Sequence, residues 1–179
     1  MTRDSTSPFG ALSYRTTDAG QTWQKQEPLG LGYGEIFYHP GGPVYLLSFG
    51  RLHISRDRGQ NWETVSTGDG LVARSISIHG KTGIMAGPSG LLAYSSDSGL
   101  TWTKPEQWSN KLYISSVLID EKIGYAGGMD GEMIRTTNGG IDWKQELLVK
   151  SFNILDMCLA GDYLYAVGGE GGIIAKKVK

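Results

Sequence analysis

Cysteine is nearly missing from this sequence. Its 179 residues hold one, Cys158, which excludes an internal disulfide and a cysteine-based zinc site. Cys158 lies in the apolar stretch Ile154-Leu155-Asp156-Met157-Cys158-Leu159-Ala160, so a buried structural thiol is expected. Histidine is scarce as well. His39, His53 and His79 are 14 and 26 residues apart, which is no metal-ligand spacing, and they read as strand or surface residues. Neither sign of charge dominates: 17 Lys+Arg against 18 Asp+Glu leave a net charge of -1. Such a chain has no strong field to attract nucleic acid or an anionic membrane. No run approaches the 18 or so apolar residues of a membrane-spanning helix. The first 20 residues hold no apolar run of the kind a signal peptide needs. No serine sits in a G-x-S-x-G elbow. The glycine pairs at 127–128, 168–169 and 171–172 are followed by neither Lys-Ser/Thr nor a helix, so they are turns rather than a phosphate loop. No cofactor, metal or catalytic residue is expected.

Glycine is abundant, 27 residues against 6 prolines, beside five Trp and nine Tyr. No every-third spacing suggests collagen, and the aromatics argue against disorder. Short strands and many turns are the expectation. The glycines belong to a repeat. Thr16-Thr17-Asp18-Ala19-Gly20-Gln21-Thr22-Trp23 is matched by Ser55-Arg56-Asp57-Arg58-Gly59-Gln60-Asn61-Trp62, by Ser95-Ser96-Asp97-Ser98-Gly99-Leu100-Thr101-Trp102 and by Thr136-Thr137-Asn138-Gly139-Gly140-Ile141-Asp142-Trp143. The tryptophans are 39, 40 and 41 residues apart. In S/T-x-D/N-x-G-x-x-W the Asp or Asn accepts bonds from backbone N–H groups and Gly supplies a positive φ. The Trp opens the next strand and packs its ring on the neighbouring unit. Asp18, Gly20 and Trp23, with Asp57, Gly59 and Trp62, Asp97, Gly99 and Trp102, and Asn138, Gly140 and Trp143, are therefore structural hairpin residues. Catalysis rarely needs four copies of one site.

Each motif sits in a four-stranded unit. The first full repeat predicts strands over 35–39, 44–48, 52–56 and 62–66. The second predicts 74–79, 83–87, 91–96 and a strand from Trp102 onward. The third predicts 114–120, 122–128, 132–137 and 143–149, with a turn at Met129-Asp130-Gly131. No segment sustains a helical period. A repeat near 40 residues with four short strands is the signature of a β-propeller blade. The fold class is all-β: a propeller of four-stranded antiparallel blades, with 1–179 as one domain and 1–8 as a flexible N-terminus. The N-terminal part supplies a third strand (9–15) and a fourth (23–27). The C-terminal part supplies a first (153–159), second (163–168) and third (172–177). That makes 17 strands, about four blades plus one strand. Three arrangements accommodate the surplus strand: a small ring with one strand displaced, a share of a larger ring, or two chains completing one ring, the preferred solution.

The four motifs resemble the Asp-box, or bacterial neuraminidase repeat. The run from Gly124-Tyr125-Ala126-Gly127-Gly128 through Trp143, and Tyr165-Ala166-Val167-Gly168-Gly169-Glu170-Gly171-Gly172-Ile173-Ile174, resemble blades of the photosystem II stability/assembly factor family. That resemblance implies a non-enzymatic propeller docking on a protein partner. It also implies an exported, periplasmic or thylakoid-lumenal setting where a leader has been removed. The sialidases are the other Asp-box family and give the alternative, a carbohydrate-binding or glycosidase-derived module. Their chemistry needs three clamping arginines, a Tyr–Glu pair and an Asp. Of seven arginines here, Arg15, Arg56, Arg58 and Arg135 lie in or just before motif turns, and no spacing singles out a Tyr–Glu pair. Aligning the repeats places Arg15, Arg135 and Lys176 at one third-strand position, where the other repeats carry Tyr94 and Ile54, so they are candidates for a basic partner-binding arc. Trp108, in Pro105-Glu106-Gln107-Trp108-Ser109-Asn110, is a candidate contact residue or a cap on the ring edge. An acidic–arginine cluster at the channel mouth would favour the glycosidase alternative, but the first strands, which line the channel, carry few such residues: Glu35, Arg74, Asp120 and Asp156.

Overall fold

The structure is a computed structural model that describes residues 13–26, 34–38, 41–48, 51–68, 72–105, 109–150 and 152–178. The expected flexible segment 1–8, strand residues 9–12, His39 and Trp108 lie outside the described residues. The rest forms five antiparallel sheets. The first pairs β1 (Ser13–Arg15) with β2 (Gln24–Gln26). Blade I holds β3 (Gly34–Tyr38), β4 (Val44–Ser48), β5 (Arg51–Ser55) and β6 (Glu63–Ser66). Blade II holds β7 (Ser75–His79), β8 (Thr82–Ala86) and β9 (Leu92–Ser95). Blade III holds β10 (Tyr113–Leu118), β11 (Gly124–Gly128), β12 (Glu132–Thr136) and β13 (Lys144–Leu148). The last sheet holds β14 (Ile154–Ala160), β15 (Tyr163–Gly168) and β16 (Ile173–Lys177). In each sheet the strands neighbour one another in chain order. The sheets are not closed into a ring among the described residues. Met129–Gly131 and Gly169–Gly171 are single 3₁₀ turns.

Among the described residues there are sixteen strands where 17 are expected, and blade II shows no fourth. The segment after Trp102 makes one bridge, in which Tyr94 and Thr103 exchange N–H···O bonds of 2.9 and 2.8 Å. Pro105 follows two residues on and has no N–H to continue the ladder.

The apolar side chains collect between sheets. One cluster joins Tyr45, Leu52 and Ile54 of blade I to Ile76 and Met85 of blade II. A second joins Ile84 and Leu92 of blade II to Tyr113, Ala126 and Trp143 of blade III. A third joins Tyr125 and Met133 of blade III to Ile154, Met157 and Leu164 of the last sheet. Blades II and III thus each have a leading face, packed on the predecessor, and a trailing face that receives the successor. Burying each such side chain contributes about 1.5–3 kcal/mol, so blade-to-blade contact is where the fold gains its stability.

The motif turns are built alike. The Ser or Thr hydroxyl accepts the N–H of the motif Gly in all four, at 2.9 Å for Gly20, 2.7 Å for Gly59 and 2.9 Å for both Gly99 and Gly140. Oδ1 of Asp18, Asp57, Asp97 or Asn138 accepts the N–H four residues later at 2.8–2.9 Å. The last motif exchanges partners: Asn138 Nδ2 donates to Asp142 Oδ2 (2.8 Å), where Asp97 Oδ2 instead accepts from Thr101 Oγ1 (2.6 Å). These bonds hold the Asp18 and Asp57 carboxyls down to about 2. The Trp indole donates back to the motif Gly carbonyl in Trp23, Trp102 and Trp143, at 3.2, 3.0 and 3.0 Å.

The expected inter-blade packing of the four tryptophans is graded. Trp143 is buried in the second cluster and Trp102 packs against the first. Trp23 is 60% exposed and joins none of the three apolar clusters. Cys158 corrects the sequence expectation too: it is exposed. A bulge between Ile154 and Asp156 lets both Ile154 and Met157 turn inward, and alternation after it turns Cys158 outward; an apolar neighbourhood in sequence does not fix which face a strand residue takes.

Candidate functional site

The first strands of blades I to III and of the last sheet, β3, β7, β10 and β14, are edge strands, and these four edges stand side by side around a channel. An edge leaves every second backbone N–H without a strand partner. Here the preceding blade supplies the acceptor. Ile76 N–H donates to Glu35 Oε2 (2.8 Å), Ser116 N–H to Ser75 Oγ (2.9 Å), Leu118 N–H to Ser77 Oγ (2.9 Å) and Met157 N–H to Ser115 Oγ (3.0 Å). Donor and acceptor lie 41 or 42 residues apart, one blade in sequence. Side chains therefore join the inner strands where a continuous sheet would use backbone carbonyls. Ser75 Oγ also donates to Glu35 Oε1 (3.4 Å), and Ser115 Oγ to Asp156 Oδ1 (3.2 Å).

Within this wall lies a cavity of about 460 Å³, lined by residues of all four inner strands, among them Glu35, Phe37, Ser77, Ser116 and Cys158. Glu35 is its most perturbed group. Burial pushes its carboxyl up to about 7 against the pull of the Ile76 N–H and Ser75, and the negative Asp156 adds to the rise. The fold therefore favours protonated Glu35, whereas the unfolded chain ionises it near 4.5. Stability contributed by the neutral form is whole below about pH 4.5, falls as pH rises towards 7, and is flat above. Glu35→Gln keeps an acceptor for Ile76 and cannot ionise. We expect the variant to gain on the parent protein between pH 4.5 and 7, by at most about 3 kcal/mol. Urea unfolding at pH 4.5, 6 and 8 reads this, and a gap that is constant with pH would contradict it.

Of the four charged residues picked out near the channel, Glu35 and Asp156 lie on inner strands. Arg74 precedes β7, and Asp120 follows β10, where its Oδ1 accepts the N–H of Lys122 and Ile123, both at 2.7 Å. The ladder serines were not distinguishable in sequence. The available signal was an oxygen-bearing acceptor, Glu35, Ser75, Ser115 or Asp156, at the same point of the four inner strands.

The basic residues occupy blade junctions. Arg15 Nε donates to the Arg58 carbonyl at 3.2 Å, tying the first sheet to blade I. Arg135 holds its guanidinium over the Tyr125 ring, 6.0 Å from the centroid. Lys176 pairs with Glu146 at 2.6 Å, which raises its pKa. Arg135 and Lys176 meet at the junction of blade III with the last sheet, but not in the same register. Arg135 pairs with Tyr125 and Lys176 with Leu164, whereas the partner of Tyr165 is Ala175. The equivalent of Arg135 is thus Ala175. Lys176 lies one residue past the position expected for it, on the opposite face of its strand. His53 is buried, its Nδ1 2.9 Å from Thr64 Oγ1. Burial, with the nearby Arg51, lowers its pKa. No group of three or more His, Cys, Asp or Glu placed to hold a metal ion occurs among the described residues.

A profile of the BNR/Asp-box repeat matches residues 14–25, the first motif. Solved structures extend the likeness to the whole array. YCF48 bound to D1 peptide superposes with a TM-score of 0.69 at 14% identity, over 93% of this chain and 57% of that one. The chain folds as a BNR-repeat β-propeller resembling the YCF48-like proteins. YCF48 from Cyanidioschyzon merolae matches with a TM-score of 0.50 at 12% identity, over 95% of this chain and 77% of that one. An ancestral GH74 enzyme matches at 0.63 and 15% identity, over 80% of this chain and 22% of that one. The chain thus spans little more than half the length of the first of these propellers. No curated protein sequence matches it.

Proposed function

We propose that this propeller is a non-enzymatic scaffold that binds an extended segment of a protein partner, with a second copy of the chain completing its ring. The observation that carries the reading is the likeness, over 93% of the chain, to a propeller whose structure holds a bound peptide. The channel wall supports binding over chemistry. Glu35 is held by Ile76 and Ser75, and Asp156 Oδ1 by Ser115 and its own neighbour Met157. Both carboxyl groups act as acceptors for the fold, and the serines between them are occupied in the same ladder.

The partner surface comprises the channel mouth and the blade junctions where Arg15, Arg135 and Lys176 sit, with Trp108 as a further contact proposed from the sequence alone. Guanidinium and ammonium groups there suit a segment carrying carboxylates, including a free C-terminus. The test is a fluorescence-anisotropy titration with a panel of acidic and basic extended peptides and a panel of soluble oligosaccharides. Saturable binding of acidic peptides is expected, weakened about tenfold or more in the Arg15→Glu, Arg135→Glu double variant, equivalent to about 1.4 kcal/mol. Binding or cleavage of an oligosaccharide with no peptide binding would overturn the reading in favour of a glycosidase-derived module, which the GH74 likeness weakly fits.

A further inference from the structure

The two ends of the described array carry the two halves of one inter-blade interface, both uncovered. Tyr165 faces Cys158 across β14–β15 as Tyr125 faces Val117, Ile84 faces Ser77 and Tyr45 faces Phe37 in the earlier blades. Tyr45, Ile84 and Tyr125 are at most 2% exposed, yet Tyr165 is 36% exposed. Ile173 holds the place of Leu52 and Met133, which are sealed in the core, and is 70% exposed. At the other end, Ile36 holds the leading-face place of Ile76 and Met157. Those two are buried, while Ile36 is 69% exposed, with Tyr38 exposed beside it.

The polar ladder runs out at the same two places. Glu35, Ser75 and Ser115 each accept an N–H from the next inner strand. Asp156 holds the equivalent position in β14, and its Oδ2 takes no bond among the described residues. The matching donor on β3, one residue past the acceptor position as at Ile76, Ser116 and Met157, is the N–H of Ile36.

We propose that the trailing face of β14–β16 receives the leading face of β3–β4 from a second copy of this chain, head to tail, with Asp156 accepting the Ile36 N–H of that copy. The proposal rests on the two-copy ring above and names its seam. The occupant follows from what the face requires. An apolar sheet face with a carboxylate at its channel edge needs an inner edge strand whose outward N–H is flanked by apolar side chains. Blades II and III and the last sheet each present such a strand to their predecessors, and β3 presents the uncovered one. The contact is heterologous, so two copies close a ring by making it twice. The three-stranded last sheet leaves β16 as an edge for the β1–β2 hairpin of the second copy.

Cys158 provides the test. It occupies the place of Ser77, whose Oγ accepts the N–H of Leu118, and the leading-face equivalent of Leu118 is Tyr38. Light scattering should give twice the 19.4 kDa chain mass. Under mild oxidation Tyr38→Cys should form a covalent dimer through Cys158, and Tyr38→Cys with Cys158→Ser should not. Ile173→Glu, a change at an exposed position, should raise the dimer dissociation constant at least about tenfold while leaving the circular dichroism unchanged. A monomeric mass overturns both the seam and the two-copy ring. A dimer that neither crosslinks nor responds to Ile173→Glu overturns the seam and leaves a two-copy assembly through another face. If the Tyr38→Cys variant instead stays monomeric and joins its introduced thiol to Cys158 within one chain, the two faces close on each other and the proposal is likewise overturned.

Discussion

Trp143→Ala is expected to destabilise the protein by about 3–5 kcal/mol, and Trp23→Ala by less than about 0.5 kcal/mol. The two tryptophans hold the same place in the same motif, and each donates its indole N–H to its own motif glycine. They differ in what lies beyond the ring. Trp143 packs with Ile84, Tyr113 and Ala126 between blades II and III, whereas Trp23 is mostly in solvent. Deleting a buried indole loses its transfer free energy and leaves a cavity that the two sheets cannot fully collapse. Deleting an exposed one removes little more than a hydrogen bond within the turn. Thermal unfolding reads the difference, with a midpoint drop for Trp143→Ala of about 10 °C and almost none for Trp23→Ala. Similar losses would mean that the motif acts through its local turn and not through inter-blade packing.

Gly131→Ala is expected to cost at least about 3 kcal/mol. Gly131 has φ +70°, a conformation that costs an L-residue about 1–2 kcal/mol on its own. A Cβ there would lie 1.8 Å from the Val149 carbonyl oxygen and 2.7 Å from that of Phe152. Both obstacles are backbone, so no rotamer change relieves them. The Gly131 carbonyl also accepts the Val149 N–H at 3.0 Å, which fixes the approach. Gly161 separates strain from collision. Its φ is +59° but a Cβ would meet nothing within 4 Å, so Gly161→Ala should cost only the conformational part. Denaturant unfolding of the two variants side by side checks this, and equal losses would show that the collision at Gly131 is relieved by a shift of the chain.

These expectations also mark how far the sequence could be read. The motif turns were legible because their bonds are local. Ser or Thr to Gly and Asp or Asn to the fourth residue on are contacts within one turn, and the residue types that make them are few. Strand positions were legible to within a residue or two for the same reason. Facing was harder. Cys158 sits in an apolar run that is buried on one side only, and the alternation that turns it outward depends on which face of β14 meets blade III. Lys176 was misplaced by a single residue of register, enough to move it from the trailing face to the Glu146 side. The described ladder after Trp102 stops at Thr103 because Pro105 has no N–H to continue it, a local cause open to reading. The channel ladder was out of reach, because it joins residues some 41 positions apart and is built from serine, which occurs throughout the chain. Glu35 and Asp156 could be placed near the channel by counting strands, but the raised carboxyl of Glu35 follows from burial that only the assembled wall provides.

The blades are thus linked in a directional series, each inner strand supplying the acceptor for the next, and among the described residues the series ends on Asp156 Oδ2 at one side and the Ile36 N–H at the other. The most direct test is hydrogen–deuterium exchange at the Ile36 amide, followed as protein concentration rises through the micromolar range, with the Ile76 amide as internal reference. The Ile76 amide should be protected at every concentration, and the Ile36 amide should become protected as two copies join. An Ile36 amide that exchanges at one unprotected rate at all concentrations, while the protein is a dimer by mass, would contradict it.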